Sequence, residues 1–366
     1  MKLLDITPFF HSKSGGIRRY LLEKIRFLSQ LSGLQHILLI PGKSKRCYFI
    51  EGTKVYEVPS IPIPRSGGYR FFLKTQDLFK IIQEEAPEII ELGGWYHAPS
   101  RFRLKSWQKV SVFYHSDPFL FFKLSSLFAI SKKFLIRYLR RNLNEADFIL
   151  VPSSVKEVFL SSIGVAKVKR VPLGVDPLIF NPSRRDSDLL KKLGIDEEKI
   201  RLIYVGRLSK EKNIELLIET FSLLDRSRFH LIVVGDGPKR NLVKSAEREL
   251  GSLTYLGYVD DRDLLARLYA SSHIFVSASV GETFGLSFVE AQACGCILVA
   301  LDMELETQPL KEFLVKDLNT REFVEALERA SECLSDELRQ RISNHVLTFF
   351  SWNNTFRRLL NLYGAL

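Results

Sequence analysis

Two carboxylates, Glu282 and Glu290, stand with seven residues between them in the stretch Gly281-Glu282-Thr283-Phe284-Gly285-Leu286-Ser287-Phe288-Val289-Glu290. A helix start is expected around Gly285, with the second carboxylate about two turns along the same helix. If the helix is continuous, a separation of eight at about 100° per residue rotates Glu290 only about 80° from Glu282. Both then face one cleft. The helix N-terminus between them offers unpaired backbone N–H groups and the positive dipole end, which suits a phosphate. A carboxylate near a sugar, with phosphate on helix amides, is what a sugar-nucleotide site needs. An amphipathic helix with a charged first turn fits the same ten residues, and this stretch alone does not separate the two.

Other segments have to position these groups. Leu202-Ile203-Tyr204-Val205-Gly206-Arg207-Leu208-Ser209-Lys210-Glu211-Lys212-Asn213 reads as a buried strand, a glycine turn and a basic loop before a helix. Leu231-Ile232-Val233-Val234-Gly235-Asp236-Gly237-Pro238 and Ile274-Phe275-Val276-Ser277-Ala278-Ser279 follow. In order and spacing these elements resemble glycosyltransferase family 4, the retaining, nucleotide-sugar-dependent enzymes of GT-B fold. The resemblance extends to the first half through Ser14-Gly15-Gly16-Ile17, Phe113-Tyr114-His115-Ser116-Asp117 and Val171-Pro172-Leu173-Gly174-Val175-Asp176, and so covers nearly the whole chain.

The resemblance implies a role for each matching residue. Arg207 and Lys212 hold the leaving diphosphate, as one forked donor and one mobile ammonium. Phe284, Gly285 and Leu286 bring helix amides to the phosphate, and Gly15 and Gly16 do the same from the first domain. Glu282 hydrogen-bonds the donor sugar and supports the oxocarbenium-like transition state. Glu290 accepts from the ribose hydroxyls, as an ionised carboxylate does. His115 faces the donor sugar, while Asp117 is equally a cap for the next helix. Retaining transfer in this fold is described as front-face attack, in which a diphosphate oxygen takes the acceptor's proton and no protein nucleophile is needed. The co-substrate is a GDP- or UDP-linked sugar. Glu91-Leu92 and the run from Phe113 to Asp117 are similar to mannosyltransferase-like members, which makes GDP-mannose the first candidate. No metal is expected: Asp260-Asp261-Arg262-Asp263 is the one dense acidic cluster near the motifs, and helix capping accounts for it.

Composition agrees with an enzyme of two domains. A chain of 366 residues with 46% hydrophobic content supports two cores. No opening signal-type apolar region and no run of 18 apolar residues is present, so neither a signal peptide nor a spanning helix is expected. The four cysteines, Cys47, Cys294, Cys296 and Cys333, are scattered, and Cys294-Gly295-Cys296 is too tight for usual zinc spacing. Buried thiols in a reducing cytoplasm are the expectation.

Charge is uneven along the chain. Residues 1–178 carry 28 Lys and Arg against 14 Asp and Glu; the remainder carries 25 against 28. The first half therefore expects an anionic partner. No nucleic-acid motif is visible, so an anionic membrane surface is favoured over nucleic acid. Residues 119–141, FLFFKLSSLFAISKKFLIRYLRR, contain no acid. As a helix they place Lys123, Lys133, Arg137, Arg140 and Arg141 within an arc of about 100°, opposite Leu120, Phe121, Leu124, Phe128, Leu135 and Leu139. Such a helix lies on anionic bilayers, or else is a core helix with a solvated basic face. The expected setting is cytoplasmic, peripheral on the inner face of the membrane, with a lipid-linked or polysaccharide acceptor.

The elements alternate. Strands are expected at 3–6, 37–40, 88–92, 110–114 and 148–151, with helices at 17–31 and 69–85 between them. A second alternating half begins near Ile200, after a charged, surface-exposed stretch at 181–199. The fold class is α/β: two doubly wound, Rossmann-like domains facing across a cleft, as in GT-B. The first spans 1–175 and is joined by a C-terminal helix at 350–366; the second, at 176–349, binds the nucleotide sugar. Ligands in such sheets bind beyond the carboxyl ends of the strands, where every motif above falls.

One segment departs from the family. After Cys294-Gly295-Cys296-Ile297-Leu298-Val299-Ala300, the usual proline is Cys296, the Gly-Gly pair is absent, and the loop Leu301–Pro309 is shortened. That loop normally packs beside the donor site, so donor selectivity is the property it affects. A non-catalytic nucleotide-sugar- or membrane-binding relative is the alternative it leaves open.

Overall fold

The structure, a computed structural model, describes residues 1–11, 15–62, 70–72, 75–119 and 131–365, and divides into two compact units. The first holds Met1–Leu173 with Trp352–Leu366, the second Gly174–Ser351.

The first unit opens with β1 (Lys2–Ile6), α1 (Gly16–Ser29), β2 (Gln35–Gly42), β3 (Arg46–Ile50), β4 (Thr53–Pro62) and β5 (Arg70–Phe72). It continues with α2 (Thr75–Glu85), β6 (Ile89–Leu92), β7 (Lys109–Phe113), α3 (Lys132–Leu143), β8 (Phe148–Val151), α4 (Ser154–Ser162) and β9 (Val168–Arg170). The strand order is β3-β4-β2-β1-β6-β7-β8-β9, with β5 also on β4. All pairings are parallel except those of β3 and β5 with β4. Leu3, Leu4 and Ile6 have no exposed surface, because a parallel strand covered on both faces reads as a continuous apolar run.

Where the sequence predicts a helix from 69, residues 70–72 form a strand instead. Its Phe71 and Phe72 oppose Ile61 and Ser60, and the Arg70 guanidinium donates to the Ser60 hydroxyl and carbonyl at 2.8 and 2.6 Å. Adjacent phenylalanines, one of them opposite an isoleucine, favour the pleated sheet over a helix start. Of the expected helix at 119–141, residues 120–130 lie outside the described residues. Its described part is α3, whose Leu135, Leu139 and Leu143 are buried in the core while Lys132, Lys133, Arg137, Arg140 and Arg141 are exposed.

Asp5, in the middle of β1, is the exception to that apolar run. Lys24 of α1 donates to Asp5 at 2.8 Å and to Glu91 of β6 at 2.9 Å, and His36 meets the other Asp5 oxygen at 2.6 Å. Burial would raise the Asp5 carboxyl, but Lys24 and His36 outweigh it and hold the group down at about 2. Burial pushes Glu91 up to about 7, with Asp5 adding to the rise and Lys24 opposing it. One lysine shared by two carboxylates explains the split. Glu91 is thereby committed to the interior and does not reach the surface that a donor would occupy.

The second unit contains α5 (Ser187–Lys192), β10 (Ile200–Val205), α6 (Ile214–Leu223), β11 (Phe229–Val234), α7 (Arg240–Leu250) and β12 (Leu253–Gly257). It ends with α8 (Arg262–Ala270), β13 (Ile274–Ser277), α9 (Leu286–Ala293), β14 (Ile297–Ala300), α10 (Thr320–Glu332) and α11 (Asp336–Phe349). Five parallel strands run in the order β12-β11-β10-β13-β14. The 181–199 stretch is not wholly a surface segment, since Leu189, Leu190 and Ile195 are buried. Asp261 caps α8, accepting from the Asp263 and Leu264 amides at 2.9 and 3.4 Å, the capping role the sequence predicts for the acidic cluster. The thiols divide: Cys294 and Cys296 are buried, whereas Cys47 and Cys333 are exposed, against the expectation of four buried thiols.

The chain then returns to the first unit as α12 (Trp352–Tyr363). Trp352, Phe356, Leu359, Leu360 and Tyr363 are buried there. The Tyr363 hydroxyl donates to Glu91 at 2.7 Å and lies 2.7 Å from the Ser111 hydroxyl. Among the described residues no helix is long and apolar enough to cross a membrane.

Candidate active site

In the second unit the strand order reverses direction around β10, whose neighbours are β11 and β13. The crevice at the carboxyl end of such a reversal is where open α/β sheets bind ligands. The loops leaving these three strands are packed with little room. The Gly206 amide donates to Val234 at 3.0 Å and the Leu208 amide to Asp236 at 3.0 Å. Gly235 takes φ +139°, and a Cβ there would stand 1.8 Å from the Gly206 carbonyl oxygen. A Cβ on Gly237 would stand 2.5 Å from the Leu208 oxygen. The Gly-Asp-Gly turn is therefore fixed by backbone packed on backbone.

This packing presents Arg207 exposed at the end of β10 and Lys212 at the end of the following turn. The Tyr204 hydroxyl donates to the Arg207 carbonyl at 2.9 Å. Burial, with the carboxylates of Glu282 and Glu211 nearby, pushes that hydroxyl well above its ordinary value, so it remains a donor. The Lys212 ammonium contacts the Glu282 carboxylate directly, both side chains being partly exposed. Asn213 follows in the left-handed region at φ +50° and starts α6. The chain from Ser279 to Glu282 is tied to this turn, since the Val280 amide donates to the Glu211 carbonyl at 3.0 Å.

Glu282 and Glu290 do not share a helix. Gly285, at φ +80°, is the residue before α9, and Glu282 lies in the irregular segment ahead of it. Only glycine fits: a Cβ at 285 would lie 2.6 Å from the Phe288 ring. The rotation expected for a continuous helix does not apply, and Glu290, fifth in α9 and 7% exposed, is a little over one turn in. No side chain caps the α9 N-terminus, where Leu286 begins the helix, and its first amides have no partners inside the helix.

Sequence reasoning missed the support beneath this turn. The Thr307 hydroxyl donates to the Phe284 carbonyl at 2.7 Å, and the Gln292 amide donates to the carbonyls of Phe288 and Thr307 at 2.9 and 2.8 Å. Gln308 accepts from the Met303 and Leu305 amides and donates to the Leu301 carbonyl at 2.7 Å. The loop that lacks the Gly-Gly pair is thus built on Thr307 and Gln308, both fully buried. Adjacent buried polar residues in a loop carry no sequence signal without knowledge of burial.

In the first unit the order reverses around β1, between β2 and β6. Gly15 precedes α1 with no side-chain cap, and a Cβ there would meet nothing within 4 Å. Gly16 is the first residue of α1; Ser14 lies outside the described residues. His115 follows β7, stacked on Phe113 with ring centroids 4.0 Å apart and planes at 4°. Burial, then Lys24, pushes His115 down to about 3, so the imidazole is neutral near pH 7 and offers one donor and one acceptor. Asp117 accepts from the Phe119 amide at 2.9 Å and pairs with Lys156 at 2.6 Å, which is the capping alternative. Among the described residues no group of three or more His, Cys, Asp or Glu is placed to hold a metal ion.

Comparison with known proteins places these motifs. The Glycosyltransferase Family 4 profile matches residues 14–177 and the Glycosyl transferases group 1 profile matches 186–346. The chain is 24% identical to a GDP-mannose-dependent alpha-(1-6)-phosphatidylinositol dimannoside mannosyltransferase of Mycobacterium tuberculosis, covering 100% of this chain and 97% of that one. It is 28% identical to an alpha-monoglucosyldiacylglycerol synthase of Streptococcus pneumoniae over 68% of this chain and 60% of that one. Its fold matches sucrose-phosphate synthase from Thermosynechococcus elongatus with a TM-score of 0.81 at 18% identity, covering 99% and 98% of the two chains. Two doubly wound units and two family profiles that between them take in nearly every motif lead to one conclusion: the chain belongs to glycosyltransferase family 4 and is a hexosyltransferase of GT-B fold.

Proposed function

We propose that this enzyme transfers mannose from GDP-mannose, with retention of anomeric configuration and without a metal, to a lipid-linked or polysaccharide acceptor at an anionic membrane face. The observation that carries the site assignment is the Lys212–Glu282 pair beside the uncapped α9 N-terminus at the carboxyl end of a parallel sheet. Arg207, Lys212 and the α9 amides supply positive charge where the diphosphate leaves. Glu282 takes the hexose hydroxyls, Glu290 the ribose hydroxyls, and the α1 start at Gly15 and Gly16 a phosphate. His115 is assigned a hydrogen bond to the hexose. Support for mannose, and for a lipid acceptor, comes from the mycobacterial relative's name; the pneumococcal relative's name likewise points to a lipid product.

The membrane reading takes a narrower form than the sequence suggests. The apolar residues of α3 are used in the core, so contact with lipid rests on the exposed basic side chains and on Phe134, which is 62% exposed. The setting implied is peripheral on the cytoplasmic leaflet.

The test is turnover over a panel of GDP-mannose, UDP-glucose, UDP-galactose and UDP-N-acetylglucosamine, with the product anomer read by NMR. The expected result is highest turnover with GDP-mannose and an axial linkage matching the donor. Preference for a UDP-sugar overturns the donor assignment, an inverted anomer overturns retention, and donor binding without turnover identifies a non-catalytic relative.

A further inference from the structure

Tyr20, on α1 just after the Gly15-Gly16 turn, has no exposed surface. Its ring lies 4.9 Å from Phe113, 5.1 Å from His115, 5.6 Å from Phe356 and 6.4 Å from Trp352. Its hydroxyl donates to Glu91 at 2.9 Å, and the Lys24 ammonium sits 5.4 Å from its ring centroid. Three rings, Tyr20, Phe113 and His115, therefore stand in mutual contact; Tyr20 and Phe113 are fully buried and His115 is half-buried. Beside them is a cavity of about 10 Å³ lined by Asp5, Thr7, Ile17, Tyr20, Glu91 and His115. That is room for roughly one water, and far too little for an imidazole to swing into.

We propose that Tyr20 is a positioning residue for His115. Phe113 fixes the plane of the imidazole by stacking, and Tyr20 closes the side that stacking leaves open. Tyr20 is itself held at three points: by its hydroxyl on Glu91, by the Trp352 and Phe356 rings of α12, and by its place on α1. The same helix carries the candidate phosphate turn at its start, so one rigid element sets both that turn and the orientation of His115. Edge-on and tilted ring contacts at these distances are the preferred aromatic geometries. An imidazole has a broad, roughly two-fold χ2 well, so ring neighbours on both sides decide which way its nitrogens face. The inference rests on the reading of His115 as a donor-sugar contact.

A double-mutant cycle tests it, using the panel's fastest donor. Tyr20→Leu should lower kcat about 10-fold with KM little changed, and Tyr20→Phe, which keeps the ring, should stay within about 3-fold of wild type. With His115→Ala already present, Tyr20→Leu should change kcat by less than about 2-fold, because there is no imidazole left to orient. An equal loss in both backgrounds would show a general packing role and overturn the proposal. Unchanged kcat in Tyr20→Leu would overturn it as well. If His115→Ala alone turns over like wild type, the assignment of His115 is what fails. Should Tyr20→Leu not accumulate as folded protein, Tyr20→Met, which keeps more of the side chain's length but not the ring, runs the same cycle with the same two outcomes.

Discussion

Lys212 and Glu282 pair with one another where the leaving diphosphate and its sugar are proposed to meet, and Arg207 stands exposed at the end of β10. Such preorganised charge acts on the transition state without further reorganisation. Arg207→Ala should therefore lower kcat by about 10²–10³ with an unchanged melting temperature. Glu290, buried in α9, is proposed to bind the donor's ribose, a part that does not react, so on that proposal its loss is a loss of uniform binding. Glu290→Gln should raise the donor KM about 10-fold and move kcat less. Steady-state kinetics on both variants checks the division; a kcat effect confined to Glu290 would reverse the two roles. At this scale the sequence marks the groups that carry charge and the glycines that take unusual backbone. It does not mark Thr307, Gln292 or Tyr204, whose importance comes from burial and from carbonyls they happen to meet.

Strands and turns were legible as elements because parallel strands buried on both faces are plain apolar runs. β10 and β11 read that way over residues 202–205 and 231–234, and β1 and β6 do so apart from Asp5 and Glu91. The edge strands β3 and β5 did not, since half-exposed residues such as Phe49 and Phe71 break the pattern. The start of α9 was legible in Gly285, but the irregular path of the chain before it was not. Nothing in the types of Thr283 and Phe284 forbids a helix; the break comes from the Phe288 ring packed against a glycine of positive φ. For α3, charge pattern alone left two readings open, and burial of Leu135, Leu139 and Leu143 selects a core helix with its basic face outward. Each Lys or Arg near an anionic surface contributes about 1 kcal/mol, and the attraction is screened by salt. Reversing Lys133, Arg137 and Arg140 to Glu should release the protein from phosphatidylserine-containing vesicles in a sedimentation assay. Equal binding by wild type and triple variant would remove α3 as the anchor and leave the basic excess of the first half without its partner.

Across the whole molecule, the parallel strands of the two sheets reverse order at β1 in one unit and at β10 in the other, and the loop motifs that carry the proposed site follow the carboxyl ends of their strands. That regularity is why fold and family could be read from motif order at identities near 24%, where pairwise similarity says little. The charge division, 28 basic residues against 14 acidic up to residue 178, is also a whole-chain property, invisible in any single motif. The leaving diphosphate is proposed to be stabilised by Arg207, Lys212 and helix amides rather than by a metal ion. The most direct measurement is nucleoside diphosphate release from the fastest donor by wild type and Lys212→Ala, each before and after exhaustive treatment with EDTA. The expected result is a wild-type rate unchanged within about 2-fold by chelation and a Lys212→Ala rate lower by about 10²–10³, with the fold intact. Wild-type release abolished by EDTA and restored by magnesium or manganese, or Lys212→Ala turning over at the wild-type rate, would contradict it.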